Sequence, residues 1–116
     1  MREHGIPRVV VVSPFAGRGP WPWRLWDKWR NICYARKAMD DCFRRGEAPF
    51  VSHLLYPQVL RDSDRALRRI GMQAAYAWFD QVDLVVVYAD RGSSPGMESD
   101  IAHALQRGLP TETRCL

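Results

Sequence analysis

The sequence has no apolar run long enough to cross a bilayer: Val9 to Val12 and Leu84 to Val87 fall far below the ~20 residues that a spanning helix needs. The stretch Met1 to Pro7 lacks the long apolar core and small-residue cleavage site of a secretory signal. A cytoplasmic protein with no membrane partner is therefore expected. Cysteine is scarce. Cys33, Cys42 and Cys115 are odd in number and show no paired ligand spacing, which argues against a disulfide framework and against a zinc site. Reduced thiols are expected, with no metal and no cofactor. No internal repeat, low-complexity tract or linker rich in Gly and Ser interrupts the chain. Neither G-x-x-x-x-G-K-[ST] nor G-x-G-x-x-G occurs, so a P-loop and a dinucleotide fingerprint are excluded.

What remains is 116 residues, 47% of them hydrophobic, enough for one core and too few for two. Residues 1–116 are read as a single domain. The net charge of +4 favours anionic partners without choosing among nucleotides, nucleic acid and acidic protein surfaces.

Two uninterrupted β-branched runs, Arg8 to Val12 and Leu84 to Val87, have the pattern of strands covered on both faces. The first runs into Ser13-Pro14-Phe15-Ala16-Gly17-Arg18-Gly19, a small basic turn of the kind that can offer backbone N–H groups to an anion. Residues 17–30 hold four of the five tryptophans and read as a lid or an interface segment. A helix is predicted over Asn31 to Arg45, with Ile32, Ala35, Met39 and Cys42 toward the sheet and Gly46 as its stop. Ala48 to Val51 is a short strand followed by a polar corner, Ser52 to Asp62, in which His53 sits where α/β folds collect ligand-binding groups.

The next helix is predicted over Asp64 to Phe79, with an apolar stripe of Leu67, Ile70, Gly71, Ala74, Ala77 and Trp78; Arg65, Arg68 and Arg69 are either surface charge or a reach toward an anion, and solvated surface is the preferred reading. After the Leu84 strand, Ser94 is a natural N-cap and Pro95 fits the first helical position. Gly96 then lets a ligand approach the free N–H groups, and Glu98 and Asp100 stand just beyond. The helix should close near Gln106, with Gly108 as a stop and Pro110 to Leu116 as an edge strand. The strand and helix alternation implies an α/β fold with a parallel sheet of four or five strands, helices on both faces and all three corners at one cleft.

Ser13-Pro14-Phe15, Asn31 with Ala35-Arg36, Ser52-His53-Leu54-Leu55, Asp83 and Ser94-Pro95-Gly96-Met97-Glu98-Ser99-Asp100-Ile101 with Ala104 together resemble the nucleoside 2-deoxyribosyltransferase-like superfamily. The likeness is nearest to a branch of small phage and bacterial proteins and runs from about Val9 to Pro110. It implies a flavodoxin-like, Rossmann-like three-layer domain with a mainly parallel sheet, forming a homo-oligomer and binding a nucleoside or its 5′-monophosphate.

In active relatives a glutamate attacks C1′ of the deoxyribose and the sugar passes to another base or to water, the logic of a retaining glycosidase. On that resemblance Asp100 occupies the nucleophile position, one methylene shorter. Ser94, Gly96 and Met97 receive the 5′ end, and Ser13, Phe15, Gly17, Asn31 and His53 bind substrate. Glu98 is the second candidate acid, although on a helix it points some 200° away from Asp100. The further acid that relatives carry in the preceding helix falls near Ala75. A nucleotide-binding protein with a degenerate site is the alternative. Direct nucleic-acid binding is disfavoured because no reader motif accompanies the charge.

Overall fold

The computed structural model describes residues 5–61 and 63–116. Residues 1–4, part of the stretch read for a secretory signal, and Asp62, the last residue of the second polar corner, lie outside the described residues. Four strands, β1 (Arg8–Val12), β2 (Ala48–Phe50), β3 (Leu84–Tyr88) and β4 (Thr111–Arg114), form one sheet in the order β2-β1-β3-β4. Every pairing is parallel, in the register Val10 opposite Phe50, Val10 opposite Val85 and Val86 opposite Glu112. The connections are helical: α1 (Trp23–Arg44), a short α2 (Ser52–Leu55) with a tighter turn over Tyr56–Gln58, α3 (Arg65–Phe79) and α4 (Pro95–Gln106). This is a Rossmann-like α/β architecture with the flavodoxin-type strand order.

The unalternating valines have their explanation in the two layers that cover the sheet. Val9, Val11, Val86 and Tyr88 pack with Tyr34, Ala35, Ala38 and Cys42 of α1. Val10, Val12, Val85 and Val87 turn to the other face, against Ala75 and Phe79 of α3 and Met97 and Ala104 of α4. The α1 face also holds a buried ion pair: Arg114 reaches both carboxylate oxygens of Glu47 at 2.7 and 2.6 Å, and the Tyr88 hydroxyl donates to Asp41 at 2.7 Å.

Two helices differ from the sequence expectation. The helix expected from Asn31 starts eight residues earlier, at Trp23, so most of the tryptophan segment is its first two turns. Pro22 ends the preceding turn at the N-cap position, and the tryptophans face outward, which hides the helical period. Ala35 and Cys42 face the sheet as expected, but Asn31, Tyr34 and Ala38 share that face, while Ile32 lies in a surface groove among the tryptophans. In α3 the expected stripe holds in part, with Leu67, Gly71 and Ala74 half-buried. Ile70, Ala77 and Trp78 are exposed, and the buried side is Ala75 and Phe79, one turn apart. Among the described residues no helix is long and apolar enough to cross a membrane.

Candidate functional site

The strand order reverses between β1 and β3, the place where open α/β sheets leave a crevice at their carboxyl ends. A cavity of about 330 Å³ occupies that crevice, and all three polar corners contribute to it. Ser13, Phe15, Ala16, Gly17 and Arg18 come from the corner after β1; Ser52, His53, Tyr56, Pro57 and Leu60 come from the segment after β2. Ser94, Pro95, Gly96, Met97 and Asp100 come from the start of α4, and α3 closes the wall with Leu67, Arg68, Gly71, Met72 and Ala75.

Each corner is held by local chemistry. Ser13, buried at the end of β1, is 2.6 Å from Nε2 of His53, which joins the first corner to the second. Burial pushes the His53 imidazole down to about 4, so at neutral pH it is an uncharged hydrogen-bonding group. The Phe15 ring meets it edge-on, with centroids 6.3 Å apart. Ser94 caps α4 by accepting from the Met97 N–H at 3.3 Å, and Pro95 takes the first helical position. The Arg18 guanidinium donates to the Ser93 carbonyl, while the Arg18 backbone N–H donates to Asp27 at 2.9 Å. The first corner is thereby tied to the third corner and to α1.

Asp100, one turn into α4, is the sole carboxylate lining the cavity among the described residues. Its Oδ1 accepts from the Tyr76 hydroxyl at 3.0 Å, and Oδ2 has no hydrogen-bond partner among the described residues. Burial pushes the Asp100 carboxyl up to about 6, against the opposing pull of the Tyr76 hydroxyl and the Arg68 guanidinium. Burial and the adjacent carboxylate push the Tyr76 phenol upward, so it stays protonated and remains the donor. At pH 7 most of Asp100 is therefore ionised, in a half-buried position where its charge is poorly hydrated.

The sequence candidates divide accordingly. Ser13, Phe15, Gly17, His53, Ser94, Gly96, Met97 and Asp100 line the cavity together. Two do not. Glu98 is exposed and outside the lining, because two residues along a helix from Asp100 its side chain projects from the far side. Asn31 is buried and also outside the lining; its amide donates to the carbonyl of Ala16 at 3.2 Å and its Oδ1 accepts from Arg91 at 2.7 Å. Arg91 continues to Asp27 at 2.7 Å. Asn31 thus shapes the first corner from behind, since a buried amide must satisfy its own hydrogen bonds.

Arg68, for which surface charge is the preferred sequence reading over reaching an anion, lines the cavity, and Tyr76, which the sequence reading does not single out, touches Asp100. Their signal was the spacing Arg68, Met72, Ala75, Tyr76 and Phe79, which is one helical face if Phe79 rather than Trp78 is taken as the buried end. Among the described residues no cluster of three His, Cys, Asp or Glu side chains is placed to hold a metal ion.

The family model described as a domain of unknown function (DUF7768) matches residues 7–114. No curated protein matches the sequence with significance. Among solved structures, the 2-deoxyribosyltransferase from the psychrotolerant bacterium Bacillus psychrosaccharolyticus superposes with a TM-score of 0.68 at 12% identity, covering 93% of this chain and 72% of the other. At that identity the likeness is one of fold.

Proposed function

The chain belongs to the DUF7768 family, and we propose that it cleaves or transfers the glycosidic bond of a nucleoside, or of its 5′-monophosphate, with Asp100 as nucleophile. The observation that carries this reading is one ionised, poorly hydrated carboxylate, anchored through Oδ1 and open at Oδ2, in a cavity of sugar-and-base size. Oδ2 forms an ester with C1′ as the bond from C1′ to the base nitrogen breaks, and the base leaves with that electron pair and takes a proton from solvent. A water molecule or a second base then attacks C1′ and releases the carboxylate, the double displacement of a retaining glycosidase. Ser94, Gly96 and the free N–H groups at the start of α4 receive the 5′ end. Ser13 and His53 orient the sugar and base, with Phe15 beside His53 and Gly17 in the same cavity lining. The fold shared with a 2-deoxyribosyltransferase supports the same direction.

The test is incubation with deoxynucleosides, ribonucleosides and their 5′-monophosphates, following free base by chromatography. Because the nucleophile must be ionised, base release should rise with pH through about 6 and level off toward pH 8. His53, at about 4, adds no second limb in that window. A profile that falls from pH 5 to pH 7 would remove Asp100 from the nucleophile role.

A second reading, a nucleotide-binding protein without turnover, is favoured by Ala75, an apolar methyl at the cavity wall where a second acid would serve. It predicts a nucleotide-dependent rise in melting temperature with the nucleotide recovered intact after long incubation.

The tryptophan segment belongs to the same proposal as a self-association surface. Trp21, Trp23, Trp26 and Trp29 are 74, 66, 55 and 55% exposed, and Trp26 stacks on Trp29 at 5.3 Å. Together they expose roughly 600 Å² of aromatic surface, at 150–250 Å² per ring, close to the ~800 Å² each partner contributes to a standard interface, and Trp26 and Trp29 line one surface groove. The occupant is a second copy of the chain. Sedimentation velocity should find a concentration-dependent dimer or larger species in the wild type and a monomer in Trp26→Ser/Trp29→Ser. A wild type that is monomeric at 100 μM, a concentration of the experimenter's choosing on the order of ordinary dimer constants, overturns it.

A further inference from the structure

Behind Asp100 lies an aromatic arrangement that the reaction itself does not use. The Tyr76 ring lies flat against His103, with centroids 4.1 Å apart and planes 7° from parallel, and Phe79 meets both rings edge-on at 5.3 and 5.6 Å. His103 is three residues beyond Asp100 on α4, so one helix carries both the carboxylate and the plate that holds the carboxylate's partner. The His103 Nε2 is buried with no hydrogen-bond partner among the described residues, and the ring's contacts are the stack on Tyr76 and the edge of Phe79. Tyr76 in turn has a phenol that stays protonated, aimed at one oxygen of Asp100.

We infer that Tyr76, held flat by His103, is the positioning residue that fixes Asp100 for attack, presenting Oδ2 to the cavity while Oδ1 is restrained. This rests on Asp100 as the nucleophile. A carboxylate left to rotate about its side chain offers its oxygens over a range of directions, and a misplacement of ~1 Å can cost ~100-fold in rate. One donor on one oxygen removes that freedom without blocking the other. The same bond favours the charged form. The groups facing Asp100 are Tyr76 and Arg68 from α3 and, around the same cavity, Ser13, Arg18 and His53, of which His53 is uncharged.

Two readouts test this. The Asp100 carboxyl is titrated by ¹³C NMR in the unliganded chain, and kcat and KM are measured across pH with the substrate found by the base-release screen. In Tyr76→Phe the Asp100 midpoint should rise by about one pH unit, the worth of one charge-assisted hydrogen bond. At pH 8 kcat should fall about tenfold with KM within about twofold, the pattern of an interaction that orients the attacking group. His103→Ala should move both quantities the same way, and it carries the test if Tyr76→Phe does not fold. His103→Phe, which keeps a flat ring, should leave both near wild type.

An Asp100 midpoint unchanged in Tyr76→Phe, or a His103→Phe variant that behaves like His103→Ala, overturns the inference. If no substrate is turned over and the midpoint still rises in Tyr76→Phe and His103→Ala but not in His103→Phe, the restraint on the carboxylate stands and the nucleophile reading falls.

Discussion

Asp100→Asn should abolish base release, by at least about 10³-fold, and at the same time make the protein more stable above pH 6. The first effect follows from chemistry. An amide of nearly the same shape still accepts the Tyr76 hydrogen bond but cannot form the ester with C1′, and loss of a nucleophile is among the largest single effects known in enzymes. The second follows from linkage. The Asp100 carboxyl stands at about 6 in the folded chain and near 4 when unfolded, so the unfolded state gives up its proton first as pH rises. Folding stability is therefore lost progressively between about pH 4 and pH 6 and stays lower above that, by on the order of 2–3 kcal/mol.

The neutral amide carries no such penalty. Urea unfolding at pH 8 should show D100N above the wild type, and the difference should shrink through pH 6 to 4 and approach zero below about pH 3, where both folded and unfolded wild type hold the proton. Loss of activity together with gain of stability separates a chemical role from a structural one. A variant that is inactive because it is less stable would contradict both parts of the expectation.

The sheet was legible because its chemistry is local. Four consecutive valines, alternating between two covered faces, leave little choice but a buried parallel strand, and Ser94 with Pro95 marks a helix start by backbone hydrogen bonding alone. The convergence of the three corners was legible too, since the carboxyl ends of neighbouring parallel strands lie on one rim. What escaped was whatever depends on which side of a helix meets a neighbour. In α3 Leu67 and Gly71 of the expected stripe do line the cavity, but Ile70 and Trp78 are exposed and small Ala75 faces the sheet, so a reading weighted by size turned the stripe too far and left Tyr76 out. In α1 the tryptophans obscured the helical period. The family resemblance places Asn31 among the substrate-binding residues, yet its partners are the backbone of the first corner and Arg91, contacts that no spacing reveals.

Gly17 illustrates the same limit and gives the second large effect. The sequence puts Gly17 in a turn suited to offering backbone N–H groups to an anion, and Gly17 does line the cavity, but its other side is closed. A Cβ built there would lie 1.8 Å from the Arg24 carbonyl oxygen and 2.9 Å from the Lys28 amide nitrogen, both main-chain atoms of α1. No rotamer change relieves an overlap with backbone, so in Gly17→Ala the first corner and the start of α1 must separate. That separation strains the Arg18 to Asp27 hydrogen bond and the Asn31 contacts with Phe15 and Ala16, which set the cavity's shape.

Overpacking of this kind costs about 1–3 kcal/mol and more when backbone must move, so a melting temperature lower by about 10 °C is expected in a domain of this size. Gly96→Ala is the contrast. There the nearest atom to a new Cβ is the Arg68 guanidinium at 3.8 Å, an ordinary contact with the far end of a flexible side chain. That variant should melt within about 2 °C of wild type, since substitutions that meet no clash are usually worth less than ~0.5 kcal/mol. It should nonetheless raise KM, because the added methyl stands where the 5′ end of the substrate meets the start of α4. Equal melting temperatures for Gly17→Ala and wild type would mean that the first corner is not seated against α1 at all, and the cavity would lose the wall on which its reading as a binding site depends.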